Sequence, residues 1–66
     1  MNEQELKGNW QELKGRIREK WGKLTDDDMM VIDGKREQLV GKLRQHYGHA
    51  ETEAEQLVAD FKATND

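Results

Sequence analysis

The sequence predicts an all-α protein: a four-helix domain built from two packed helical hairpins, a single domain over residues 1–66. Three observations carry the prediction. Apolar residues recur at three- and four-residue spacing through most of the chain, as they do on helices buried along one face. No proline occurs, and no stretch alternates with period two long enough to suggest a strand. The chain also repeats itself at an offset of 26 residues, which all six glycines obey: Gly8, Gly15 and Gly22 fall on Gly34, Gly41 and Gly48. Between them, ELKGRIREKWG at 12–22 aligns with QLVGKLRQHYG at 38–48, with identities at Leu13/Leu39, Gly15/Gly41, Arg18/Arg44 and Gly22/Gly48. Farther on, Val31-Ile32 falls on Leu57-Val58. Such a repeat denotes one supersecondary unit used twice. Here the unit is a longer basic helix, a glycine-marked turn and a shorter acidic helix, over about 3–33 and again over 34–63. Neither hairpin can bury its apolar stripe alone, so the two must pack on each other.

The first helix is expected over about 3–21. Leu6, Trp10, Leu13, Ile17, Trp21 and Leu24 form its apolar stripe, and Gly22 stands where a left-handed C-terminal cap is wanted. Thr25 then reads as an N-cap, with Asp28 three residues on as the capping-box acid. Asp26, Asp27 and Asp28 suit the positive end of the helix dipole. Met29, Met30, Val31 and Ile32 make a short apolar second helix at about 26–33, and Gly34 is read as a break. The third helix covers about 35–47, with Leu39, Val40, Leu43 and Tyr47 inward and Gly48 as its cap. The fourth covers about 50–63, with Ala54, Leu57, Val58 and Phe61 inward and fraying expected from Thr64. Its start is weakly marked, and Thr52 with Glu55 offers an alternative capping box.

The mid-helix glycines do not form a packing seam. At ~100° per residue, Gly8, Gly15 and Gly22 fall on the side of the wheel opposite Leu6, Trp10 and Leu13, and Gly41 lies opposite Leu39, Leu43 and Tyr47. Each mid-helix glycine costs ~0.5–1 kcal/mol relative to alanine. Folding accounts for Gly22, Gly34 and Gly48, but not for Gly8, Gly15 and Gly41.

Composition bounds the rest. A chain of 66 residues buries only about 60% of its unfolded surface. Hydrophobic residues are 33%, charged residues 38% and the mean hydropathy is -1.15, a balance near the border with disorder. The absence of cysteine excludes disulfides and thiolate metal sites. The opening MNEQELKGNW has no apolar secretory core, and no apolar run approaches the ~20 residues of a membrane span. These features predict a soluble, cytoplasmic protein with no membrane association. The net charge of -3 hides segregation: residues 7–23 and 35–44 are basic, while 26–33 and 51–66 are acidic. Acidic and basic helices lying side by side neutralise one another. Nucleic-acid binding through Lys14, Arg16, Arg18, Lys20, Lys42 and Arg44 ranks below that reading, because such domains usually carry a net basic balance.

No constellation announces a reaction. Serine and cysteine are both absent, and there is no glycine-rich phosphate loop after a strand. His46 and His49 lack a clear third metal ligand and are expected to be solvent-exposed near a helix end. Consecutive carboxylates at 26–28 point different ways and lack calcium-loop spacing. Trp10, Trp21 and Leu24 are read as core rather than as a membrane-surface face. A helix-hairpin-helix DNA module is disfavoured, because the turns at Gly22 and Gly48 lack its second glycine and acidic helix starts would repel phosphate. No catalytic, metal or cofactor-binding residue is assigned, and no enzyme is expected. The Met29–Ile32 patch is the one candidate for self-association, against an expected monomer.

Gly8-Asn9-Trp10, Leu13-Lys14-Gly15, the run Trp21-Gly22-Lys23-Leu24-Thr25-Asp26-Asp27-Asp28 and the run Gly34-Lys35-Arg36-Glu37-Gln38-Leu39-Val40-Gly41-Lys42 together resemble the CsbD-like family of small bacterial proteins. The likeness spans nearly the whole chain and is weakest after Gly48. It implies four helices in two roughly orthogonal hairpins. It also implies abundant cytoplasmic proteins induced in general stress and stationary phase, without an agreed biochemical activity or catalytic residues. A non-enzymatic stress-response protein, acting as a hydrophilic protectant, is therefore the leading expectation; its partners are unknown.

Overall fold

The structure, a computed structural model, describes residues 9–65. Four helices follow in order: α1 (Trp10–Lys20), α2 (Asp26–Ile32), α3 (Arg36–Tyr47) and α4 (Glu51–Asn65). Among the described residues there is no strand. The all-α class and the four helices are thus as expected from periodicity. The predicted start of the first helix, with Leu6 and Gly8, lies outside the described residues.

The connections explain where each helix stops. The Trp21 N–H still donates to the Ile17 carbonyl at 2.7 Å, but Trp21 itself leaves helical geometry at φ -121° and ψ 82°. A turn from Trp21 to Leu24, closed by the Leu24 N–H on the Trp21 carbonyl at 3.1 Å, then redirects the chain. Gly22 sits inside that turn without a positive φ, which corrects its reading as a left-handed cap. The break comes from the Trp21 backbone, so no glycine is required there. After α2 the expected break at Gly34 is present. Asp33 and Gly34 both take positive φ, 44° and 81°, and the Lys35 N–H returns to the Ile32 carbonyl at 2.8 Å. Two positive-φ residues inside an i to i+3 turn define type I′ geometry, for which Asp-Gly is a preferred pair. Gly48 closes α3 in left-handed conformation at φ 72°, as expected.

Helix α4 begins at Glu51, with the Ala50 carbonyl accepting from the Ala54 N–H at 2.9 Å. The Thr52–Glu55 capping box is therefore not used, because the helix is already under way at Thr52. Nor does the helix end at Thr64. It continues to Asn65, and the Thr64 hydroxyl donates back to the Asp60 carbonyl at 2.9 Å.

One apolar core collects residues from all four helices: Leu13 and Ile17, Met29 and Ile32, Leu39, Val40 and Leu43, Ala54, Val58 and Phe61, with Trp21 and Leu24 from the first turn. Trp10, Tyr47 and Leu57 pack half-buried against it. Helix α3 lies closest to α4 and next to α2. The Trp21 and Phe61 rings meet at 5.4 Å with a 53° tilt, which ties the end of α1 to α4. The apolar run of α2 divides: Met29 and Ile32 are buried, while Met30 and Val31 are 76% and 51% exposed. Gly15 and Gly41 face solvent, as the wheel predicts, and a β-carbon built on either meets nothing within 4 Å.

Candidate functional site

Among the described residues, a dense polar constellation lies where the N-terminus of α2 meets α3. Thr25 caps α2 in extended geometry. Its N–H donates to Asp28 Oδ2 at 2.9 Å, and the Asp28 N–H donates to Thr25 Oγ1 at 3.1 Å, completing the predicted capping box. That box turns the Asp28 side chain toward α3. There Oδ1 lies 3.3 Å from Lys42 Nζ, and Oδ2 lies 2.9 Å from His46 Nε2. Nε2 is shut off from solvent and makes no directed hydrogen bond, so its contact with the carboxylate is electrostatic. Asp28 is the one buried charged residue among the described residues. Its carboxyl is held down at about 2, first by the Thr25 N–H, then by the Thr25 hydroxyl, Lys42 and His46, against the opposing cost of burial.

This arrangement corrects the expectation that His46 is solvent-exposed. The imidazole is half-buried and pinned against α2. Part of the signal was available in sequence, since Lys42 and His46 are four apart and share one helix face. Nothing local indicated that Asp28 would meet them. His49 is also engaged: Nδ1 lies 2.9 Å from Glu53 Oε1, and its ring stacks on Tyr47 at 5.8 Å. The Tyr47 hydroxyl accepts the Lys23 N–H at 3.1 Å, and Lys23 Nζ sits 5.1 Å from the ring centre. Tyr47 thereby fastens the first turn onto the end of α3.

Several of the basic side chains are drawn into local contacts. Arg16 pairs with Glu12 at 3.1 Å, Arg18 pairs with Asp26, and Lys42 is committed to Asp28. Lys20 lies over the Trp21 ring at 5.4 Å. Asp26 and Asp28 are thus divided between an ion pair and a capping box. Among the described residues, no three His, Asp or Glu side chains are placed to hold a metal ion.

Open grooves flank α1 among the described residues. One of about 280 Å³ lies between α1 and α4, lined by Arg16, Glu19, Lys20, Asp60, Phe61 and Thr64. Another, of about 490 Å³, lies between α1 and α2 against Trp10, Lys14, Asp26, Met29, Met30 and Asp33. Among the described residues no helix is long and apolar enough to cross a membrane.

Over the described residues, fold and polar chemistry together define a small protein of four helices in which a charged cluster braces one helix against the next. Its family follows from sequence comparison. The CsbD-like family model matches residues 4–56, and the chain belongs to that family. The chain is 52% identical over 66 residues to the UPF0337 protein YjbJ of Escherichia coli (strain K12), covering 100% of this chain and 96% of that one. It is 53% identical over 65 residues to the YjbJ protein of Salmonella typhimurium, covering 98% and 93%. It is 47% identical over 62 residues to the UPF0337 protein pc0632 of Protochlamydia amoebophila, covering 94% of each. The family match stops short of Val58 and Phe61, which complete the core.

Proposed function

We propose that this protein is a non-enzymatic, cytoplasmic stress-response protein that works as a monomeric, hydrophilic protectant. The observation that carries the reading is the pair of solvent-facing glycines in mid-helix. Gly15 and Gly41 occupy equivalent positions of the repeat, and neither has a neighbour that would forbid a side chain. Each weakens its helix by ~0.5–1 kcal/mol in a chain whose total stability is only ~3–10 kcal/mol by size. A highly charged chain with a helical fold kept weak in this way exchanges readily between ordered and hydrated states. The two-hairpin organisation belongs to the same proposal. It is supported by the burial of Leu13 and Leu39, Ile17 and Leu43, and Ile32 and Val58, three pairs that are each one repeat apart. The test is to dry or freeze a labile enzyme with sub-stoichiometric amounts of this protein and, separately, with an equal mass of an inert small protein. Greater recovered activity with this protein supports the role, and equal recovery refutes it.

Nucleic-acid binding through Lys14, Arg16, Arg18, Lys20, Lys42 and Arg44 is the second reading. The internal pairing of Arg16, Arg18 and Lys42 counts against it. Binding at low salt that weakens steeply as salt rises would revive it.

A further inference from the structure

Helix α2 places two methionines side by side in opposite environments. Met29 is 2% exposed and belongs to the core, whereas Met30 is 76% exposed at the rim of the groove between α1 and α2. A thioether is oxidised where an oxidant can reach it, and a buried one is reached only through local opening of the fold. The consequences of oxidation differ just as sharply. A sulfoxide on Met29 would carry a polar oxygen into the apolar core, where it would lack partners. On Met30 the same oxygen remains in water, beside Lys14 across the groove, and no core contact is lost.

We propose that Met30 is a modification site for hydroperoxides, oxidised to the sulfoxide while the helical fold persists. In the reaction the Met30 sulfur attacks one peroxide oxygen. The S–O bond forms as the O–O bond breaks, sulfur gives up two electrons, and the displaced oxygen, as hydroxide from hydrogen peroxide or alkoxide from an organic hydroperoxide, takes the proton from the transferred oxygen and departs as water or the alcohol. One equivalent of oxidant is consumed at Met30. The step stands independently of the protectant role, since it requires only the exposure of one thioether and the shielding of its neighbour.

The test uses the full chain and hydrogen peroxide as the probe. Fragment-ion mass spectrometry of the tryptic peptide 24–35 separates oxygen on residue 29 from oxygen on residue 30, in native buffer and in denaturant. In native buffer Met30 is expected to react at least about tenfold faster than Met29, with the two rates converging once the chain is unfolded. Met30→Leu should remove the fast phase, and Met29→Leu, a volume-conserving change, should retain it. The purified Met30 sulfoxide form should keep the helical circular dichroism spectrum and melting midpoint of the untreated protein. Equal native rates for the two methionines, survival of the fast phase in Met30→Leu, or a sulfoxide form that unfolds would each overturn the proposal.

Discussion

Replacing Gly15 and Gly41 with alanine should stabilise this protein. Both glycines lie inside regular helix, in α1 and α3, and the added methyl group meets nothing within 4 Å. The gain therefore comes from the unfolded chain, which loses conformational freedom when a β-carbon is present, and from better helix propensity. Each substitution should contribute ~0.5–1 kcal/mol. The two sites lie on different helices and share no partner, so the double variant should gain ~1–2 kcal/mol. For a domain of this size, 1 kcal/mol moves the melting midpoint by roughly 4–8 °C, so the double variant should melt roughly 5–15 °C higher. The assay is thermal and urea denaturation followed by helical circular dichroism, with the urea slope unchanged. Gly48→Ala is the internal control. It also has open space around it, but its φ of 72° makes a side chain strained, and it should destabilise by ~1–2 kcal/mol. Gly22→Ala, with open space and no positive φ, should be nearly silent. A loss of stability in Gly15→Ala or Gly41→Ala would mean that those positions touch something, and the account of them as solvent-facing weak points would fall.

Three further outcomes follow from the core and the α2–α3 cluster. Ile17 is fully buried, so Ile17→Ala should cost ~2–4 kcal/mol and leave much of the chain unfolded at 37 °C by circular dichroism. Folding lowers the Asp28 pKa from 3.8 to about 2, so its contribution is complete above pH 3.8 and disappears as pH falls through 2. Solvent screening at the cluster's edge reduces that contribution to ~1–2 kcal/mol. Urea midpoints between pH 5 and 2 should therefore drop in the parent protein and drop less in Asp28→Asn. Tyr47→Phe removes the acceptor of the Lys23 N–H and should cost ~0.5–1.5 kcal/mol in the same denaturation assay.

Much of this fold was legible in the chain because its determinants are local. Apolar spacing located the helices, Thr25 and Asp28 announced their capping box, and the wheel put Gly15 and Gly41 on the solvent side. Gly22 was misread because its role depended on the backbone of Trp21, which ended the helix one residue sooner. The run Met29–Ile32 looked uniformly apolar, yet a seven-residue helix has one inward face, and within the run only Met29 and Ile32 fall on it. The Asp28, Lys42 and His46 cluster was half visible. The spacing of Lys42 and His46 is a property of one helix, but the approach of Asp28 depends on how α2 and α3 pack, and no local pattern encodes that.

The position of α3 bears on how the chain reaches its fold. Its closest partners, α2 and α4, are its immediate neighbours in sequence, separated from it by short turns. Contacts between sequence neighbours close small loops at little entropic cost, and chains rich in them fold on microsecond to millisecond timescales. The segment from Thr25 to Phe61 can therefore assemble as one nucleus, with α1 docking onto it through Trp21 on Phe61 and Lys23 on Tyr47. In reverse, α1 is the first element to detach, and its amide hydrogens should exchange with solvent before those of α3.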